Sequence, residues 1–538
     1  MKIGIRFCAL SFVFGMSSLV CSASATPDAT PWTAVFESGA AAYSSSQSSE
    51  AVTQLEAALA AATSQGATEL EIAKISDSLG AVYEAVGRLA DAQAAFDRAL
   101  STRTKLLSAP NESLAISLTN ESTIYWAMAN ADKAVEFAEK AKKMWEDLNQ
   151  QTRREYAIVI NDLLAAYRLQ GRIASSVPLM NFAKDLYPRI LGASDPTLAR
   201  SLSALASSYK EAGDYATAET LTKQALQLAD TNPQTPPSLR LHLLAAAADL
   251  EMAEGHLSEA RRHIDESLAL SIPGSNVSVL QVANQRRTLG TIYRLSGDPD
   301  HATEQYEMAL KILENSTGQA AVERGTIYND MALIAEERQD WKGAEHLFDQ
   351  ALSTMQAAFG LKHPALASTY SNLAGVYEHR HQLSKAKDYY CQALSLDSAA
   401  LPHLHPVIAR DLNNLGTLEF KLHQYKKAEP LFRESVEVFE HTLGANHPST
   451  GLAEANLANS LASLKQNSEA RAHFSNATAT LEKSWGADDP RLTDVLRSYA
   501  LFSRSTADIA VAEEIETHLM RIQVKQAIAQ ERGGKRSG

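Results

Sequence analysis

Two stretches decide the fold: NLAGVYEHRHQLSKAKDYYCQAL, Asn372 to Leu394, and NLGTLEFKLHQYKKAEPLFRESV, Asn414 to Val436. They align without a gap, 42 residues apart. In each, a polar residue precedes a large apolar one (Leu373, Leu415), a small residue follows (Ala374, Gly416), and a second pattern opens on Ala386 or Ala428. Large, small, then large at one, two and five is the inner face of a helix. In the second pattern, small residues seven apart (Ala386 and Ala393, Ala428 and Ser435) share one helical face and let a neighbour approach closely. Each stretch is therefore a helix, a short turn and a second, antiparallel helix.

Working outward, the small position recurs every 42 residues as Ala92, Ala134, Ser176, Ala218, Ala260, Ala302, Ala344, Ala386, Ala428, Ala470 and Ala512. A companion series seven places on runs from Ala99 to Ala477, with Ser267 and Ser435 as variants. The large position is kept at Leu79, Leu163, Leu205, Leu289, Met331, Leu373, Leu415 and Leu457. Departures are early: Glu121 stands at the large position of its unit, Leu164 at a small one, and Ala247 is undersized. A fixed period of this length is the signature of stacked helix pairs that bury their faces against one another.

These residues resemble tetratricopeptide repeats. The 42-residue spacing is similar to the kinesin light chain type, whose units open with a Gly-x-x-His-Pro turn, present as Gly360 to Pro364 and Gly444 to Pro448. Asp replaces His in Gly192 to Pro196 and Gly486 to Pro490, and Pro406 keeps the phase. The resemblance implies an all-α, right-handed superhelical solenoid of about twelve antiparallel helix pairs. The domain reading is residues 1–25 a signal peptide, 26–74 a degenerate capping repeat, 75–484 the repeat array, 485–529 a C-terminal capping repeat, and 530–538 a disordered basic tail. Twelve units of 42 leave no space for a separate catalytic domain.

Composition agrees. The 538 residues are 45% hydrophobic but only 7% aromatic, as close-packed helices rich in alanine would be. With 63 acidic against 50 basic residues the net charge is -13, which argues against a nucleic-acid surface. Lys2 and Arg6 precede an apolar stretch from Phe7 to Val20, followed by Ala23-Ser24-Ala25. This pattern predicts export to the periplasm or beyond the cell, with cleavage after Ala25; anchoring as a lipoprotein through Cys21 is the weaker reading. Cleavage leaves Cys391 alone, read as a buried structural thiol.

No metalloprotease motif, phosphate-binding glycine loop or nucleophile elbow is present, so no enzyme, cofactor or metal is expected. His363, His405 and His447 share one phase of the repeat, but units stack too far apart for equivalent side chains to share one ion, so these are turn residues. The resemblance instead places function on the first helix of each unit, which lines a concave groove for extended peptides. Matched position by position, Asn120, Asn372, Asn414 and Asn456, with Asp162 and Asp330 as variants, face that groove. An amide both donates and accepts, so such a ladder can bond a peptide backbone without reading side chains. The same amides could equally brace the repeats internally. Arg410, Thr417, Asn459 and Lys421 fall on the same surface, with Arg287 and Arg294 at comparable positions. The basic members would favour an acidic motif on a protein or peptide partner. The expected function is a non-catalytic binding scaffold; the alternatives are an assembly factor of an envelope complex working through its outer face or ends, and a hydrolase with a site between repeats.

Overall fold

The computed structural model describes residues 31–44, 48–128, 130–192, 195–232, 235–271, 277–314, 319–361 and 363–534; the expected leader lies outside them. Among the described residues there are 24 α-helices and no strand. They pair in order, beginning with α1 (Pro31–Ser44) and α2 (Ser48–Ser64), α3 (Glu69–Ala85) and α4 (Leu89–Leu106), α5 (Glu112–Ala127) and α6 (Ala131–Asp147), and α7 (Arg154–Leu169) and α8 (Ile173–Ile190). Next come α9 (Pro196–Glu211) and α10 (Tyr215–Thr231), α11 (Pro237–Glu254) and α12 (Leu257–Leu270), α13 (Val279–Leu295) and α14 (Pro299–Ile312), and α15 (Gln319–Glu337) and α16 (Trp341–Phe359). The last four pairs are α17 (Leu366–His379) and α18 (Leu383–Ala400), α19 (Pro406–Lys421) and α20 (Tyr425–Thr442), α21 (Pro448–Ser463) and α22 (Asn467–Trp485), and α23 (Thr493–Ser505) and α24 (Ile509–Gly534). The protein is an all-α helical repeat solenoid.

The 42-residue series explains the packing. Every small residue from Ala92 to Ala512 is at most 2% exposed, and the companion series from Ala99 to Ala477 is equally buried. Where the first helix carries glycine, the reason is contact: a Cβ at Gly80, Gly290 or Gly416 would lie 2.6–2.9 Å from the ring of Phe96, Tyr306 or Phe432 on the second helix. Glu121 is fully buried at its leucine position.

The turn between the two helices of a pair has its own 42-residue series. Gly87, Gly171, Gly213, Gly255 and Gly297 take positive φ there, where the first helix ends in a left-handed residue. From Gln339 onward the same conformation is held by Gln339, His381, His423, Lys465 and Ala507. The turn between pairs is fixed by a side-chain cap. Nδ1 of His363, His405 and His447 accepts the main-chain N–H two residues on, at 3.1–3.2 Å. Asp195 and Asp489 accept the same bond at 2.8 Å, which is why Asp can replace His in this motif.

The described chain divides into two compact units: residues 31–170 with 178–192, and residues 171–177 with 195–534. In the smaller, Leu79, Tyr83, Phe96 and Ile124 build one core and Tyr125, Val135 and Leu163 another. In the larger, Phe348, Leu373 and Tyr390 form one cluster and Phe432, Phe439, Phe474 and Tyr499 another. Three features differ from the sequence reading. The 74/75 boundary falls inside α3, because Thr68 makes a capping box with Glu71 and starts that helix earlier. The last helix runs to Gly534, into the tail expected to be disordered, while residues 535–538 lie outside the described chain. Cys391 is exposed rather than buried, because it follows Tyr390 onto the outward side of α18. No described helix is long and apolar enough to cross a membrane.

Candidate functional site

The odd-numbered helices touch their like neighbours. In the smaller unit these contacts are α1 to α3, α3 to α5 and α5 to α7; in the larger they include α9 to α11, α13 to α15, α17 to α19, α19 to α21 and α21 to α23. The even-numbered helices make no comparable contact with each other, so the first helices form the inner side of each curved stack.

On that side the asparagines divide their hydrogen bonding. Asn372 Nδ2 donates to Asn329 Oδ1 (3.0 Å), Asn414 Nδ2 to Ser371 Oγ (3.2 Å), and Asn456 Nδ2 to Asn413 Oδ1 (2.9 Å). Each bond reaches back 43 residues, from one unit to the residue beside the equivalent position of the unit before, which is Asp330, Asn372 or Asn414. All three asparagines are half-buried, and no described residue donates to their Oδ1 atoms. The amide N–H braces the stack; the carbonyl oxygen is left on the inner face. Thr417 and Asn459 are also half-buried and bond only their own helix, to Asn413 O (2.8 Å) and Ala455 O (2.9 Å). The signal in the sequence was the run of polar doublets, Asn329-Asp330, Ser371-Asn372 and Asn413-Asn414. In the last two, the second member donates to the first member of the preceding doublet.

Asn120, Asp162 and Asp330 lie deeper, at 2–4% exposure. Asn120 donates to Asp77 Oδ1 (3.1 Å), and Arg103 bonds both Asp77 and Ser117 in a buried cluster. Asp162 accepts from Thr123 Oγ1 (2.9 Å), and burial pushes its carboxyl up to about 8. Burial likewise raises Glu84, to about 7.

The basic residues are all engaged. Arg410 is 11% exposed and lies between Asp397 (3.3 Å) and Asp411 (2.7 Å), a pair in which burial and then Asp411 hold the Asp397 carboxyl well up. Arg287 joins Glu323 and Asp330, Arg294 joins Glu337, and Lys421 joins Glu378. Three of these pairs, Arg287 with Asp330, Arg294 with Glu337 and Lys421 with Glu378, again span 43 residues. Their charge is spent between consecutive units, so the inner face offers an acidic ligand no isolated arginine at these positions.

The histidines of the turn motif do not converge; each caps its own helix. Among the described residues one group could hold a metal ion, Glu251, Glu254 and His256 at the α11–α12 turn. It is already internally bonded, with His256 Nδ1 2.9 Å from Glu251 Oε2.

Helix hairpins stacked within each unit, with buried small seams and an inner side of first helices, define a helical-repeat protein. The chain belongs to the tetratricopeptide repeat family: its model matches residues 70–147, 156–231, 323–399 and 408–522, more than half of the sequence. No curated protein matches it in sequence. Similar solved structures include BtubC (BKLC) from P. vanneervenii, 23% identical over 42% of this chain and 89% of that one, with a TM-score of 0.34. The putative kinesin light chain TPR-like repeats of Podosopora anserina are 20% identical over 38% and 96%, with a TM-score of 0.33. The apo quorum sensor NprR from B. thuringiensis is 12% identical over 68% and 98%, with a TM-score of 0.48.

Proposed function

We propose that this protein is a non-catalytic scaffold that takes up an extended peptide or protein segment along the inner face of α17, α19 and α21. The observation that carries the reading is the row of Oδ1 atoms on Asn372, Asn414 and Asn456, held in register by their own amide groups. Acceptors repeated once per unit suit main-chain N–H donors of an extended ligand and leave its side chains unread. Because the brace fixes each oxygen before binding, the protein loses little freedom on association. Specificity for acidic groups is not part of this reading, since the basic side chains are committed to neighbouring units. The leader pattern of residues 1–25 further assigns the mature chain, from Thr26, to the periplasm or the exterior.

A second reading rests on the C-terminal pair, where Leu501, Met520 and Val524 are each 57–65% exposed, apolar side chains available for end-on assembly. Selection from a displayed library of extended peptides separates the two. Thr417→Trp with Asn459→Trp fills the inner face without touching the braces and should abolish selected binding, whereas Leu501→Ser with Met520→Ser should leave it intact. The reverse outcome would favour assembly.

A further inference from the structure

The left-handed glycines of the intra-pair turns are chemically alike but sit in different surroundings. A Cβ at Gly87, Gly255 or Gly297 would meet nothing within 4 Å. At Gly171 it would lie 2.6 Å from Pro406 Cδ and 3.0 Å from the Cα of His405; at Gly213 it would lie 3.3 Å from His447 Cδ2. Both contacts join positions 234 residues apart in the sequence, between five and six units along the array. All the residues concerned belong to the larger unit.

The contacts extend beyond the glycines. Ile173, 3% exposed, is part of the same buried cluster as Ala409, Phe439 and Leu443, and Ala212 packs against that cluster. Ala174 Cβ would lie 3.8 Å from a Cβ placed on Gly444. The His447 ring is placed to serve two turns at once: Nδ1 accepts the Ser449 N–H at the start of α21, while the ring also hydrogen-bonds the main chain of Glu211 at the end of α9. Tyr215, at the start of α10, lies within the electrostatic reach of Arg491.

We propose that the larger unit carries a self-clasp, in which the turns at Gly171–Ile173 and Glu211–Gly213 seat the His-Pro starts of α19 and α21 and close one winding of the repeat array onto itself. The argument is steric and chemical. A repeat array whose units contact only their neighbours is free to stretch, because no contact opposes a small rotation at every seam. A contact between units five to six apart opposes all those rotations together. The two pairs of contacts share one spacing, so they belong to one geometric closure rather than to two accidental collisions. Glycine is required at 171 twice over, for the left-handed backbone and for the space a side chain would take from the partner turn; at 213 a side chain would press on the His447 ring, and at 255 and 297 only the backbone requirement holds. The clasp thereby fixes the curvature that spaces the inner-face oxygens, and it is the contact that must break if the array is to extend. It does not depend on whether that face binds a ligand.

Asparagine tolerates the left-handed conformation better than other side-chain-bearing residues, so it separates the two requirements. Spin labels are placed at the exposed positions Ala216→Cys and Ala445→Cys of the full chain carrying Cys8→Ser, Cys21→Ser and Cys391→Ser, and the interlabel distance is measured by pulsed electron resonance. The clasp predicts a short, narrow distribution that lengthens and broadens in Gly171→Asn/Gly213→Asn and stays unchanged in Gly255→Asn/Gly297→Asn. Circular dichroism reports whether helix content survives. If the first pair loses helix, Ile173→Ala, which removes an apolar anchor without touching a left-handed residue, is read instead and should lengthen the distance. A broad distribution in the unsubstituted chain, or equal distributions in the clasp and control variants with Ile173→Ala also unchanged, would overturn the clasp.

Discussion

Glu121→Leu restores the residue type found at the equivalent place in most units, and its effect can be worked out beforehand. Glu121 is 0% exposed on α5, and burial, followed by the neighbouring Asp97, pushes its carboxyl from the ordinary 4.5 up to about 8. In the unfolded chain it ionises near its ordinary value, so folding at pH 7 must keep it protonated across about 2.5 pH units. At ~1.4 kcal/mol per unit this costs roughly 3.5 kcal/mol. The sign follows from the raised value: there is no penalty below about pH 4.5, and it grows as pH rises until it levels off near 8. Leucine removes it. Hydrogen exchange of α5 amides, corrected for the intrinsic rate, is the suitable assay because a repeat array opens locally rather than all at once. At pH 7 protection in the variant should exceed that of the parent by about 300-fold, and the gain should shrink as pH approaches 5. A gain that is the same at both pH values, or a loss of protection at pH 7, would refute the account of Glu121 as a buried neutral acid.

Three further outcomes follow from the same contacts. Arg103→Met leaves Asp77 buried without its cation and should destabilise the smaller unit by about 3–5 kcal/mol, measured by urea denaturation. Lys465→Gly relieves a left-handed residue in an exposed turn and should stabilise by about 1 kcal/mol, whereas Gly255→Lys at the equivalent earlier turn should cost a similar amount. The larger unit should weaken in mild acid: burial holds His447 and, with Arg410 beside it, His405 down at about 4, so stability is intact above pH 6.5 and declines as pH falls toward 4. Melting curves with His447→Asn, which retains a capping acceptor that does not titrate, should show a smaller decline than the parent.

The fold was legible in the sequence because one physical requirement repeats. A small residue must stand wherever two helices of a pair cross, and that requirement shows at Ala92 as plainly as at Ala470. The glycines of the turn within each pair are periodic only from Gly171 to Gly297: Ala129 stands between them and Gly87, and Gln339 follows with a side chain on the left-handed backbone, so they do not read as a series. The inner face was half legible. The resemblance to tetratricopeptide repeats put Asn372, Asn414 and Asn456 on it, but which half of each amide is used depends on the stagger between units, which moves the partner to 43 residues away. The same stagger brings Lys421 to Glu378 and Arg294 to Glu337, pairings that spacing along one helix could not show. Cys391 was misread because an apolar neighbour, Tyr390, is buried while the next residue turns outward.

The central claim is that ligand lies along the first helices and not on the second ones. Photocrosslinking tests it most directly, with benzoylphenylalanine placed singly at Lys421 and Ser463, exposed one turn beyond Thr417 and Asn459 on α19 and α21, and at Gln392 and Glu434 on even-numbered helices, in cells producing the full chain. The account predicts a crosslinked partner from the first two positions and none from the second two. Crosslinks confined to positions 392 and 434 would contradict it.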